Sequence, residues 1–216
     1  MEVQSLTKRV LEYLRNRIIT GELVPGQRLN ENEIASSLEI SRHSIREAFR
    51  VLESEQLVFS IPNKGAFVTE LSNDDLLEVS QTREMIECYA VELLKRKEIK
   101  DFTQLESAIE VASNLSNPST DDPEQYLEFH KKFVNFHFKI IEACDNSRLV
   151  HFYKSISLNL ARYQFKGLRL PGSLETDQKE HQQILNALKI GDYEDAKNKL
   201  KSHITKRLHG ASKISF

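Results

Sequence analysis

The chain has few of the residues that build small secreted or redox folds. Its 216 residues include two cysteines, Cys88 and Cys144, and no CxxC pair. A disulfide framework or cysteine-based zinc ribbon is therefore not expected, and the two thiols read as buried, reduced, structural groups of a cytoplasmic protein. No apolar run approaches the roughly 20 residues a bilayer demands, and residues 1–4 lack the basic region and apolar core of a targeting segment, so no membrane partner is expected. There is no glycine-rich phosphate loop and no nucleophile motif. An excess of one charge is also missing. Thirty Lys and Arg stand against 32 Asp and Glu, a net charge of −2, and residues 1–70 are near neutral. Affinity for a polyanion must come from where the cations sit. No internal repeat occurs, and no strand pattern appears after residue 70.

What is present is a patterned stretch at Ser41-Arg42-His43-Ser44-Ile45-Arg46-Glu47-Ala48-Phe49-Arg50-Val51-Leu52. Arg42, Arg46 and Arg50 recur every four residues and stack along one side of a helix. Ile45, Ala48 and Leu52 point to another side, with Phe49 between. Ser41 suits the N-cap, which places Arg42, His43 and Ser44 in the first turn. A helix that buries one face and offers arginines and small polar groups at its N-terminal end can read a major groove. The plainer reading is a solvated arginine face on an ordinary helix.

The flanking segments favour DNA. Pro25-Gly26-Gln27-Arg28-Leu29 reads as a turn. Asn30 caps a short helix through Leu38, with Glu33 as its capping-box partner and Ile34 and Leu38 on its buried face. Glu39-Ile40 then makes a tight connection, which is helix-turn-helix spacing. Downstream, residues 57–61 and 66–70 are strand-like and Pro62-Asn63-Lys64-Gly65 joins them, a wing whose tip can approach phosphate. The expected fold is mainly α. Residues 1–71 form a winged helix-turn-helix with a small β-hairpin wing, and residues 72–216 form an all-α bundle of about six helices. The bundle helices are predicted at 74–97, 101–115, 123–143, 147–166, 174–189 and 192–209. Breaks fall at 117–120, at Gly167 and Pro171-Gly172, and at 190–192, and the tail frays from Ala211.

The pattern resembles a known family. Residues 19–29, Ser41-Arg42-His43-Ser44-Ile45-Arg46-Glu47-Ala48-Phe49 and Gly65-Ala66-Phe67-Val68 are similar to the winged helix of GntR bacterial regulators. The family commonly has Thr-Pro where this chain has His43-Ser44. The resemblance implies DNA contacts at Asn32, Arg42, His43, Ser44, Arg46, Lys64 and Gly65. Residues 82–87, Phe136-His137 with Ala143 and Asn146, Glu180-His181 with Gly191-Asp192, and residues 197–203 resemble the FCD effector domain of the FadR/VanR branch.

That second resemblance implies a divalent metal held by one aspartate and three histidines. The histidines carry over to His137, His181 and His203, a set suited to Zn, Ni or Fe. The aspartate position holds Phe133, so the anionic ligand is lost. The other reading is three histidines hydrogen-bonded in a polar pocket. His130 lies two helical turns from His137, about 10 Å, and is read with His43, His151 and His209 as non-ligand. The implied effector is a small carboxylate. Arg83 is the candidate partner for it, or else pairs with Glu87 four residues on. Arg162 and Tyr163 are further candidates, or else a surface helix face. The implied assembly is a homodimer on a palindromic double-stranded operator, acting as a ligand-responsive repressor without enzymatic activity. The rival readings are a three-histidine metalloenzyme fused to a DNA-binding domain and a DNA-binding scaffold without effector.

Overall fold

The computed structural model describes residues 6–115, 122–167 and 173–211, with backbone alone at 166–167, 173 and 209–211. The expectations for residues 1–4, 117–120, 168–172 and the tail beyond Ala211 lie outside these residues, as does the side chain of His209. The chain divides into two compact units, Met1–Ser72 and Asn73–Phe216.

The first unit is a helix-turn-helix with a small antiparallel sheet. Helix α1 (Leu6–Thr20) buries Val10, Leu14 and Ile18, spaced four apart on one stripe. Helix α2 (Glu31–Ser37) is capped by Asn30, whose side chain accepts from the backbone N–H of Asn32 and Glu33 and whose amide donates to the Glu33 carboxylate at 2.7 Å. Ile34 and Leu38 are only half-buried, and Ala35 is the buried residue of α2. Helix α3 (Arg42–Ser54) starts at Ser41, whose Oγ accepts from the Ser44 N–H at 3.1 Å. Ile45, Ala48 and Leu52 are fully buried and Phe49 nearly so. Truncating Leu52 to Ala would cost about 2–5 kcal/mol. Between α2 and α3 the chain turns through Glu39 at φ +54°, a left-handed position that a side chain adopts at a cost of about 1 kcal/mol.

The sheet has three strands in the order β1-β3-β2: β1 (Arg28–Leu29), β2 (Val58–Ile61) and β3 (Gly65–Val68). The register pairs Ile61 with Gly65 across the tip and Arg28 with Phe67 on the other edge. Strand β1 corrects the expectation of a turn through residue 29, because its two residues become a strand only by pairing with β3.

The second unit is helical throughout its described residues: α4 (Asn73–Arg96), α5 (Thr103–Ser113), α6 (Pro123–Phe133), α7 (Asn135–Ala143), α8 (Ser147–Gly167), α9 (Ser173–Lys189) and α10 (Tyr193–Ala211). The core joins Ala90 and Leu94 of α4, Leu105 of α5, Ile140 of α7, Ile184 of α9 and Leu200 of α10. The single helix expected over 123–143 is broken at Val134 (φ −83°, ψ −4°), where the His137 N–H reaches the Val134 carbonyl at 3.3 Å. Neither Gly nor Pro marks the spot. Cys144 is buried with its thiol donating to the Ile141 carbonyl, whereas Cys88, expected buried, is half-exposed; both are free.

Candidate functional site

Two groups of residues stand out, one in each unit. On the first unit, Asn32, Arg42, His43 and Arg46 are exposed. The Arg42 guanidinium donates to Asn32 Oδ1 at 3.4 Å, and Arg46 Nε donates to Glu31 Oε2 at 2.7 Å. Arg50 pairs with Glu47 in the same helix. Each arginine of the basic face is thus steadied by a neighbour that stays in water. Ser44 is half-buried and its hydroxyl lies 3.0 Å from Ser41 Oγ, so the helix cap engages it. Lys64 and Gly65 are exposed at the wing tip, where Gly65 takes φ +98°, a conformation in which any side chain is strained.

The second group lines a cavity of about 40 Å³ inside the helical unit. His137 of α7, His181 of α9 and His203 of α10 are each 2% exposed and offer ring nitrogens that all lie within 4.8 Å of one another. His137 Nε2 and His181 Nε2 are 3.0 Å apart. Two nitrogens on one tetrahedral zinc stand about 3.3 Å apart, given Zn–N near 2.0–2.1 Å, so the cluster fits a shared divalent cation. Carboxylates orient two of the rings from behind. His137 Nδ1 contacts Glu87 Oε2 at 2.8 Å, and His203 Nδ1 contacts Glu180 Oε2 at 2.7 Å. A ring that donates its Nδ1–H to a carboxylate keeps its Nε2 lone pair for a metal or a ligand.

Burial sets the charges here. It lowers His137 to about 3, helped by the charge of Arg83 and opposed by Glu87. It lowers His181 well below its ordinary value, and His203 less, against the pull of Glu180. The rings are therefore neutral at pH 7, as ligands must be. Burial alone would raise Glu87, but Arg83 and His137 overcome it and hold the carboxyl at about 2. Glu87 accepts from Arg83 Nε at 2.5 Å and from the Tyr153 hydroxyl at 3.2 Å, besides His137. Arg83 stays charged with its pKa raised, Glu87 and Tyr153 outweighing burial. Its Nη2 is buried without a hydrogen-bond partner among the described residues.

Several expectations change. Arg83 is both a cavity residue and the Glu87 partner, and the pair is buried rather than exposed. Tyr163 lines the cavity and its hydroxyl donates to Asp75 Oδ2 at 2.5 Å. Arg162 is buried on α8 but is not among the described residues of the cavity wall, which turns Tyr163 inward instead. Neither belongs to a surface face. Phe133 forms part of the wall, its ring 6.0 Å from that of His181. His130 is buried against Phe165, outside the three-histidine group, and His151 is exposed. Glu87 and Glu180 were not expected at the site. Leu76, Arg83, Glu87, Ala90 and Leu94 follow one helical stripe, which is the buried face of α4, but the four-residue spacing of Arg83 and Glu87 is also that of a surface pair.

Comparison with known proteins follows the same division. Residues 6–68 match the family of bacterial regulatory proteins, gntR family, and residues 78–206 match the FCD domain. The chain is 28% identical over 191 residues to the HTH-type transcriptional regulator YdhC of Bacillus subtilis (strain 168), covering 88% of this chain and 84% of that protein. It is 31% identical over 143 residues to the gluconate operon transcriptional repressor of the same organism, covering 64% and 55%. The fold is similar to that of a transcriptional regulator GntR from Rhodococcus sp. RHA1, with a TM-score of 0.79 at 24% identity over 99% of this chain and 100% of that one.

Proposed function

Since the chain belongs to the GntR family of bacterial regulatory proteins, in the branch that carries an FCD domain, we propose that it is a transcriptional repressor gated by a small carboxylate in the helical cavity. The observation that carries this reading is the convergence of three neutral imidazoles on the cavity that Arg83 also lines, with its Nη2 unpartnered among the described residues. His137, His181 and His203 would hold a divalent cation such as Zn, Ni or Fe, which when bound supplies a Lewis-acid anchor for an anion. Arg83 Nη2 binds one carboxylate oxygen, and Glu87 keeps the guanidinium aimed at the cavity. Tyr163 and Phe133 wall the ligand from water. A cavity of about 40 Å³ has room for about three water-sized groups, so its present size suits a short acid and a six-carbon sugar acid requires it to widen.

DNA is the partner of the first unit, with Arg42, Arg46 and Asn32 aimed at a major groove and Lys64 and Gly65 at the backbone. The repressor acts as a homodimer in the cytoplasm. Dimerisation has support in an apolar groove of about 460 Å³ between α4 and α8, flanked by the exposed side chains of Met85, Tyr89 and Phe152. Effector and operator favour different arrangements of the dimer, so each weakens the other's binding. Catalysis by the histidines has less support, because Glu87, held at about 2 and already accepting from three donors, is too weak a base to take a proton near pH 7.

The test is a melting-temperature screen of metal-loaded protein against two- to four-carbon carboxylates, followed by gel shift on an operator duplex. A carboxylate that raises the melting temperature and releases the duplex is the expected result. No shift with any acid at millimolar concentration would leave the helical unit a scaffold without effector.

A further inference from the structure

We propose that Arg28 is a second cationic anchor of the wing, contacting a DNA backbone phosphate beside Lys64. This rests on the reading that the wing tip approaches DNA. The residue pattern Pro25-Gly26-Gln27-Arg28-Leu29 reads as a turn. The structure places Arg28 in the edge strand β1, opposite Phe67 of β3, with Leu29 buried at 3% and Arg28 exposed on the outer face. A strand alternates its faces, so Arg28 shares that outer face with Phe67 and Phe59, whose rings stack at 5.6 Å. The apolar rings give the arginine stem a surface to lie on while the charge stays in water.

The guanidinium reaches the wing tip. A Cβ placed on Gly65 would stand 3.6 Å from Arg28 Nε and 3.8 Å from Nη2. Arg28 therefore flanks the tip, bordering the space that a side chain at Gly65 would occupy. Its charge is also uncommitted. Arg15, Arg17, Arg46 and Arg50 of this unit each hold a carboxylate, and Arg42 holds Asn32. Among the described residues, the side chains of Arg28 and Lys64 have neither an ion pair nor a hydrogen bond. Two free cations at one exposed tip, one of them with the planar fork that suits an oxyanion, make a phosphate site.

The experiment measures binding to a duplex selected by affinity from a randomised library, by fluorescence anisotropy between about 50 and 300 mM KCl. Arg28→Gln is expected to weaken binding several-fold at low salt and to reduce the slope of log K against log salt by about 0.9 per contact. The loss should be equal across operator variants. Arg28→Lys should keep the slope, and Arg28→Met, which keeps an apolar stem without the charge, should lose it. An unchanged slope for Arg28→Gln overturns the proposal, as does a loss confined to one base pair, which would mean groove reading. Lys64→Ala separates the two levels. If it lowers the slope and Arg28→Gln does not, only Arg28 is misassigned; if neither does, the wing reading itself fails.

Discussion

Two arginine–glutamate pairs, one in each unit, have nearly the same geometry and opposite meaning. Arg46 and Glu31 meet at 2.7 Å with side chains 61% and 34% exposed, while Arg83 and Glu87 meet at 2.5 Å with 2% and 0% exposed. The first pair sits in water, where such pairs are worth about 0–1 kcal/mol. Glu31 can therefore steady Arg46 in free protein and surrender it to DNA at little cost. The second pair is desolvated, so neither charge can be released to water. The same division runs through the molecule: every buried polar or charged residue found among the described residues, from Ser80 to His203, lies in the helical unit. The outer surface leaves its charged pairs in water, and the interior holds its charged groups in one arrangement.

Removing one acid from each pair should give the largest contrast between the two units. Glu87→Ala leaves Arg83 buried and unpaired, and is expected to lower stability in urea at pH 7 by about 3–5 kcal/mol. Glu31→Ala should change it by less than about 1 kcal/mol. Equal effects would mean that Arg83 is solvated after all. Next in size is Arg46→Ala, which should weaken operator binding by roughly 1–3 kcal/mol in gel shifts while moving stability by no more than about 0.5 kcal/mol.

Acid should act on the interior. Burial, with a smaller push from Lys131, holds His130 down to about 4 against an ordinary 6.5. The unfolded chain then takes up a proton that the folded chain refuses, so stability falls as pH drops through that window. At pH 5 this one group costs roughly 2 kcal/mol. The urea midpoint should fall between pH 7 and pH 5, and His130→Phe should recover part of that fall. The smallest effect belongs to the helix-turn-helix connection. Glu39→Gly relieves a left-handed side-chain position and should raise stability by about 1 kcal/mol or less, offset partly by the freer unfolded chain.

Local chemistry was readable in the sequence where a single residue type decides it. Ser41 and Asn30 cap the helices they were expected to cap, and the Ile45, Ala48, Leu52 stripe is buried as its spacing requires. The wing hairpin was legible because Pro62, Asn63 and Gly65 mark its turn. Features that depend on a distant partner were not. Strand β1 is two residues long and owes its existence to β3. The Val134 break has no breaker residue and arises where the aromatic residues Phe129, Phe133 and Phe136 of α6 and α7 crowd the interior. Glu87 looked like half of a surface pair, because an i,i+4 spacing is the same in water and in a core. That it lies behind His137 depends on how α4 and α7 pack, which no spacing within either helix encodes.

Zinc binding by metal-stripped protein, measured against a competing chromophoric chelator, tests the three-histidine cavity most directly. The predicted result is one zinc per chain, with uptake abolished in His181→Ala and a raised melting temperature in the wild type only. Absence of zinc uptake, or equal uptake by His181→Ala, would contradict it.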